Sequence, residues 1–316
     1  RRQRQMCIRD SGLGVNPKLI ERINKSDYLV LLGGRLSENP SQGFSLFGIP
    51  EHNNRVVHIH PGPEEIGRIY KPHLGIACSP ITFANALNNA LKGLNIKPSS
   101  ENQINTNQAH EEYLEWGNMP LEAPNSGVDL TSAFRSLREN LEPNTIITNG
   151  AGNYAVWGHR LFRFSQFRTQ LAPISGSMGY GLPAAIAAKL RHPNQTVIAL
   201  AGDGCFQMTE NEFATAVQYN AAVIVFVIDN EMYGTIRMHQ HKNYKGKYKH
   251  TGLINPDFNK LAVAMGGQGY TVNNTEDFMN IFNDAKDWTA KNNLPALLHI
   301  KTGSEMVLPG KRFNSI

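Results

Sequence analysis

The chain of 316 residues is 41% hydrophobic and 18% charged, with 28 glycines and 17 prolines. That length suits about two domains, and the composition excludes a collagen, a coiled coil, a disulfide-dense mini-protein and wholesale disorder. An excess of 31 Lys and Arg over 26 Asp and Glu leaves a mild net charge of +5. The longest clean apolar run, Ala221–Ile228, has 8 residues, against about 20 for a membrane span. The reading is a soluble globular protein with no membrane segment. Three widely spaced cysteines, Cys7, Cys78 and Cys205, argue against a disulfide framework and suit a reducing, cytoplasmic setting.

The opening, RRQRQMCIRDS, has no periodicity and no apolar core of the kind a secretory signal needs. Residues 1–11 therefore read as a foreign join and are set apart from the fold. PKLIERINKS then predicts a helix with Leu19, Ile20 and Ile23 on one face. YLVLLGGRL and RVVHIHPGP are short strands closed by Gly and Pro. ITFANALNNALKGL is an amphipathic helix with Gly93 near its end. Residues 12–97 make a layered α/β domain too short for a complete doubly wound sheet, so it reads as part of one. Residues 98–127, rich in Asn, Gln, Glu, Ser and Pro, read as a linker with a short helix at EEYLEW.

A second α/β domain is expected over residues 128–305, followed by a tail at 306–316. Its elements are helix SAFRSLREN, strand TIITNG, helix LPAAIAAKL, strand TVIALAGDG, helix TENEFATAVQYN and strand AAVIVFVIDN, with a last helix and strand near PALLHIKTG. The fold class is α/β, two layered domains with mainly parallel sheets.

Chemistry concentrates between Thr196 and Asn230. TVIALA is a buried strand that stops at Gly202-Asp203-Gly204, and Thr209 with Glu212 spells a capping box. The next buried strand stops at Asp229-Asn230, so the unit is βαβ and both strand ends meet at one sheet edge, where open α/β sheets bind ligands. A carboxylate from Asp203 and an amide oxygen from Asn230 suit a hard cation such as Mg²⁺, which often also holds phosphates. The flanking glycines allow backbone N–H groups to approach a phosphate. Taken alone, Gly-Asp-Gly is also an ordinary turn. The stretch Thr235–His250 carries five Lys or Arg, three His and two Tyr. It suits a solvated loop near an anionic ligand, and nucleic acid is not the favoured partner.

Gly-Asp-Gly with an Asn 27 residues after its Asp resembles the thiamine-diphosphate-binding motif. GSMGYGLPAAIAA (Gly176–Ala188), MYGTIRMHQ and NPDF (Asn255–Phe258) are similar to segments of the acetolactate synthase-like family, in the same order. The resemblance covers about Asn16 to the C-terminus. It implies that Asp203, the Asn230 side chain and the Met232 carbonyl hold Mg²⁺. It implies that the Gly204 and Cys205 amides meet the diphosphate, joined by Gly152 and Asn153, and that Gly202, Tyr233 and Gly234 lie against the cofactor. Met178 resembles the bulky residue that props the cofactor in its bent form, though it also suits plain core filling, and the Gly176 carbonyl would accept from the aminopyrimidine.

The implied reaction is decarboxylation or carboligation of a 2-oxo acid by a transferase or lyase, in a homodimer or tetramer. Complete family members also carry a pyrimidine-binding domain whose Glu activates the cofactor. No segment here matches it, so the chain reads as the C-terminal portion of an enzyme, inactive alone. Thr235, Ile236 and His239 stand where acetolactate synthases proper place a Trp and other apolar residues, which makes them the substrate pocket. It also keeps open a benzoylformate decarboxylase-like activity, or a non-catalytic cofactor-binding subunit. His239 either shuttles protons or is a polar wall residue. FAD is allowed through Gly33–Arg35 but not favoured, because His60 stands where flavin-binding members carry an acidic residue.

Overall fold

The structure, a computed structural model, describes residues 15–50 and 55–315. The expected foreign join at residues 1–11 lies outside the described residues. The chain divides into two units between Met119 and Pro120.

In the first unit, Asn16 caps helix α1 (Pro17–Lys25) by accepting from the Lys18 amide, with Pro17 at the first helical position. Strands β1 (Tyr28–Leu32), β2 (Arg55–His60) and β3 (Leu74–Ala77) form a parallel sheet in that order. Helix α2 (Pro80–Leu91) follows, capped by Ser79. Where the sequence predicts a linker, a 19-residue helix α3 (Ser100–Asn118) runs instead. Its surface carries few apolar residues, so periodicity does not reveal it. What ties it down is polar: Glu112 and Glu115 pair with Arg22 and Lys18 of α1 at 2.6 and 2.8 Å.

The second unit is built on six parallel strands in the order β5-β4-β6-β7-β9-β8. They are β4 (Ile146–Asn149), β5 (Gln170–Leu171), β6 (Val197–Gly202), β7 (Ile224–Asp229), β8 (Gln268–Val272) and β9 (Ala296–Lys301). Alternate residues of the central strands enter two cores. Ile198, Leu200, Phe226 and Leu298 face a layer with α4 (Leu130–Asn140), α5 (Ala155–Leu161) and α11 (Phe278–Asn292). Val197, Ala199, Val225 and Leu297 face α6 (Gly181–Arg191), α8 (Glu212–Gln218) and α10 (Phe258–Ala264). A sheet covered on both faces requires strands that are apolar throughout, which is why these segments read as unbroken apolar runs.

The expected βαβ unit is present, with β6 and β7 adjacent and parallel and Gly202 in register with Ile228. Between them lie a short helix α7 (Asp203–Phe206) and α8. The capping box is not formed. Helix α8 has Asn211 at its cap without a side-chain bond, and the Thr209 hydroxyl instead donates to the Gly179 carbonyl at 2.8 Å. The expected tail from residue 306 is a hairpin of β10 (Met306–Leu308) and β11 (Lys311–Arg312). No helix among the described residues is long and apolar enough to cross a membrane.

Candidate functional site

The chain moves outward from β4 to β5, then returns past β4 to start β6 on its other side. Crevices at such reversals, outside the carboxyl ends of parallel strands, are where open α/β sheets take ligands. A cavity of about 230 Å³ lies there. Residues just beyond β4, β6, β7 and β9 line it: Ala151–Tyr154, Gly202–Cys205, Asn230 with Met232–Ile236, and Thr302–Gly303. Leu130, Trp157, Gly176, Met178, Ile228 and Met306 complete the wall.

Asp203 is buried at 3% exposure. One carboxylate oxygen accepts from the Gly204 amide at 2.9 Å and the other from Asn255 Nδ2 at 2.8 Å. Burial pushes its carboxyl up to about 6, against the lowering effect of those hydrogen bonds. Asp229, one strand over, is also buried. Its Oδ2 accepts from His299 Nε2 at 2.7 Å and Lys301 Nζ at 2.5 Å. Its Oδ1 accepts from Asn255 Nδ2 at 2.7 Å and the Glu231 amide at 3.0 Å. Burial would raise the Asp229 carboxyl, but these donors together hold it well below the usual carboxylate range. The two acidic residues are thus differently placed: Asp203 lines the cavity, and Asp229 is an anchor behind it.

Asn230 lines the cavity at the start of a tight turn in which Glu231 adopts φ 56°. The turn is pinned to the strand-like segment after α9 (Gly234–Asn243): the Tyr233 amide donates to the Thr251 carbonyl and the Leu253 amide to the Glu231 carbonyl, both at 2.9 Å. The Met232 carbonyl accepts from the Gly234 amide at 2.9 Å, leaving its second lone pair.

Tyr154, which sequence reasoning passed over, shapes the floor. A Cβ at Gly152 or Gly202 would sit 2.6 or 2.9 Å from its ring. Its hydroxyl donates to Cys205 Sγ at 3.2 Å, and the same sulfur accepts from the Gly179 amide at 3.2 Å. Burial raises the Tyr154 phenol well above its ordinary range. Cys205 and Thr209 together fix the Gly176–Gly181 segment. Gly176 there has φ +70°, and Met178 packs on the core while lining the cavity.

The remaining expected residues divide. Gly152, Gly204, Cys205, Tyr233, Gly234, Thr235 and Ile236 line the cavity. Asn153 does too, but its amide donates to Thr235 Oγ1 at 3.0 Å. Its side-chain oxygen accepts from that hydroxyl at 2.9 Å, so Thr235 braces the loop after β4 from α9. His239, a turn further along α9, is exposed and is not part of the cavity lining. His241 is buried and stacks on Tyr248, whose hydroxyl contacts its Nδ1. Arg237 lies over the Tyr248 ring at 4.8 Å. Two basic residues of the Thr235–His250 stretch, Arg237 and His241, are thus packed on the aromatic ring of Tyr248, while Lys242, Lys245, Lys247 and Lys249 are exposed. In the first unit, His58 Nε2 meets the Gly34 carbonyl at 3.0 Å and His60 Nδ1 accepts from the Gly62 amide at 3.0 Å.

Sequence reasoning missed Asn255, His299 and Lys301. Asn255 stands in the noted NPDF segment without an assigned role. His and Lys inside the buried run LLHIK were a signal, because a buried strand carries such residues only beside a partner charge.

Residues 150–300 match the family described as thiamine pyrophosphate enzyme, C-terminal TPP binding domain, and residues 2–87 match the central domain of the same enzymes. The chain belongs to the thiamine pyrophosphate enzymes. The central-domain match takes in nearly all of residues 1–11. Relatives are named as acetolactate synthases. The large subunit of Porphyra purpurea is 29% identical over 297 residues, which are 92% of this chain and 49% of the relative. The acetolactate synthase of Mycobacterium bovis is 29% identical over 298 residues, 90% of this chain and 46% of the relative. The mitochondrial catalytic subunit of Aspergillus candidus is 37% identical over 182 residues, 57% of this chain and 26% of the relative. The chain spans about half the length of the relatives it matches over most of its own.

Proposed function

We propose that the second unit holds thiamine diphosphate through Mg²⁺ at the carboxyl edge of its sheet and serves decarboxylation and carboligation of a 2-oxo acid, as in acetolactate synthases. The observation that carries this is the meeting of Asp203 and Asn230, from adjacent strand ends, on one glycine-lined cavity. The donor set suits the group. Burial penalises the Asp203 charge, a hard cation would offset that cost, and carboxylate, amide and carbonyl oxygens are the ligands Mg²⁺ takes.

On this reading Asp203, the Asn230 side chain and the Met232 carbonyl hold the metal. The Gly204 and Cys205 amides, at the start of α7, face the diphosphate beside Gly152, with Thr235 keeping Asn153 in place. Met178 would support the cofactor, and the Gly176 carbonyl would accept a hydrogen bond from it. When bound, the cofactor supplies a carbon nucleophile for the 2-oxo acid and a sink for the electrons released with CO₂. The chain's own residues bind, orient and shield. Thr235 and Ile236 form the wall nearest the substrate. The activating Glu belongs to a pyrimidine-binding domain of the complete enzyme, contributed across a homodimer or tetramer interface. The enzyme is then a transferase when a second carbonyl compound is joined and a lyase when an aldehyde is released.

Calorimetry with thiamine diphosphate, with and without Mg²⁺, tests the reading. Mg²⁺-dependent binding to the native chain that disappears in Asp203→Ala is expected. Equal affinity in the two proteins would overturn the assignment. Product analysis of the complete enzyme with pyruvate then separates carboligation from simple decarboxylation.

A further inference from the structure

Asn255 lies in the loop between Thr251, whose carbonyl is bonded to the Tyr233 amide, and α10. Its backbone is fixed on the α10 side by Phe258, fully buried against the Phe206 and His299 rings at 5.5 and 5.0 Å. The Asn255 side chain is used to capacity in one orientation. The two hydrogens of Nδ2 go to different carboxylates, Asp203 at 2.8 Å and Asp229 at 2.7 Å. Its Oδ1 accepts from Gln207 Nε2 at 3.0 Å. Turning the amide over would set its oxygen against two carboxylate oxygens, so the orientation is decided by charge.

The two ends of this bridge differ. Asp229 is immobile, with four donors on its two oxygens, and it does not line the cavity. Asp203 lines the cavity, and its side chain accepts from two donors, the Gly204 amide and Asn255. Of those two donors the Gly204 amide is local to Asp203, so Asn255 is the one that ties the carboxylate to a distant fixed point, and a cation site needs its ligand oriented before the ion arrives. The neutral amide does this without adding charge, by referring Asp203 to the fixed Asp229.

We propose that Asn255 is a positioning residue of the cation site: its amide spans from the anchored Asp229 to Asp203 and holds the Asp203 carboxylate in its ligating orientation, with Gln207 fixing the amide. This rests on the reading of Asp203 as a Mg²⁺ ligand. Hydrogen-bonded residues behind a ligand commonly set metal affinity by about 10–100-fold.

The test titrates Mg²⁺ into the full 316-residue chain at fixed thiamine diphosphate, followed by quenching of Trp157, which lines the cavity. Four proteins are compared: native, Asn255→Ala, Gln207→Leu and Asp203→Ala. Asn255→Ala should raise half-saturating Mg²⁺ by about 10–100-fold, while thiamine diphosphate affinity at saturating Mg²⁺ is unchanged. A purely structural residue would instead lower the melting temperature and leave the Mg²⁺ requirement alone. Gln207→Leu, which removes the support of the amide together with a 3.3 Å bond to the Asp203 main-chain carbonyl but leaves Asn255 itself in place, should show the same split to a smaller degree. It decides the matter if Asn255→Ala does not fold. Loss of Mg²⁺ dependence in Asp203→Ala with an unaltered requirement in Asn255→Ala, or in a folded Gln207→Leu where Asn255→Ala fails, overturns the positioning role alone. An unaltered requirement in Asp203→Ala, or a native chain that binds no Mg²⁺ with the cofactor, overturns the metal reading and this inference with it.

Discussion

Gly150, the first residue after β4, offers a quantitative check on how the loops of the site interlock. A Cβ built there would lie 2.4 Å from Cys205 Sγ and 3.0 Å from the Tyr154 hydroxyl. Its backbone is not among the left-handed positions, so alanine would by itself stabilise by about 0.4–1 kcal/mol through the unfolded chain. The collision reverses the sign. The sulfur must retreat by roughly 1 Å to reach an ordinary contact, and overpacking of that kind costs about 1–3 kcal/mol. Retreat also loosens the bonds that Tyr154 and the Gly179 amide make to Sγ, and leaving a buried donor unsatisfied costs about 1–3 kcal/mol. Gly150→Ala should therefore destabilise the chain by about 2–4 kcal/mol net. In a Cys205→Ala background the sulfur is gone and the Tyr154 hydroxyl has already lost it as acceptor. There the same substitution should cost under about 1 kcal/mol, a coupling of about 1–3 kcal/mol for residues in contact. Urea unfolding of the two single variants, the double variant and the native chain, at constant m, measures it. Equal costs of Gly150→Ala in both backgrounds would refute the argument that Cys205 is the obstacle.

Four further outcomes are expected. Because the buried Asp203 carboxyl titrates at about 6, it holds a proton below that pH which Mg²⁺ must displace. Mg²⁺ affinity should be full above that range and fall by up to about tenfold per unit below it, as calorimetry across pH 4.5–8 would read. Thr235→Val removes both bonds to Asn153 and should weaken thiamine diphosphate binding about three- to tenfold, the worth of roughly one net hydrogen bond. His239→Ala, outside the cavity lining, should leave cofactor affinity unchanged in the same titration. Finally, the 316-residue chain saturated with Mg²⁺ and thiamine diphosphate should release CO₂ from 2-oxo acids far more slowly than a complete acetolactate synthase. Loss of a positioned acid or base costs about 10²–10⁴-fold, and turnover at the complete enzyme's rate would show that no missing Glu is needed.

What the sequence made legible follows the range over which each interaction acts. The βαβ unit was readable because both β6 and β7 are covered on two faces, which forces an uninterrupted apolar run ending abruptly in polar residues at Asp203 and Asn230. The cavity wall at Gly202 to Cys205, at Asn230 and from Met232 to Ile236 follows directly from those ends. Helix α3 was hidden because its docking is ionic, through Glu112 and Glu115, and ion pairs leave no apolar period. The Thr209 pattern misled because a hydroxyl that can cap a helix can equally donate to a carbonyl 30 residues earlier, and here it holds Gly179. Asn255 was hidden for the same reason. Its bonds reach 52 residues back to Asp203 and 26 to Asp229, and nothing local to Asn-Pro-Asp-Phe reports either.

The most direct test of the cation site is crystallographic. Crystals of the chain grown with thiamine diphosphate and Mn²⁺ in place of Mg²⁺ should give an anomalous peak between the Asp203 carboxylate and the Asn230 side-chain oxygen, with diphosphate density against the Gly204 and Cys205 amides. A metal peak elsewhere, or cofactor density away from the carboxyl ends of β6 and β7, would contradict the account.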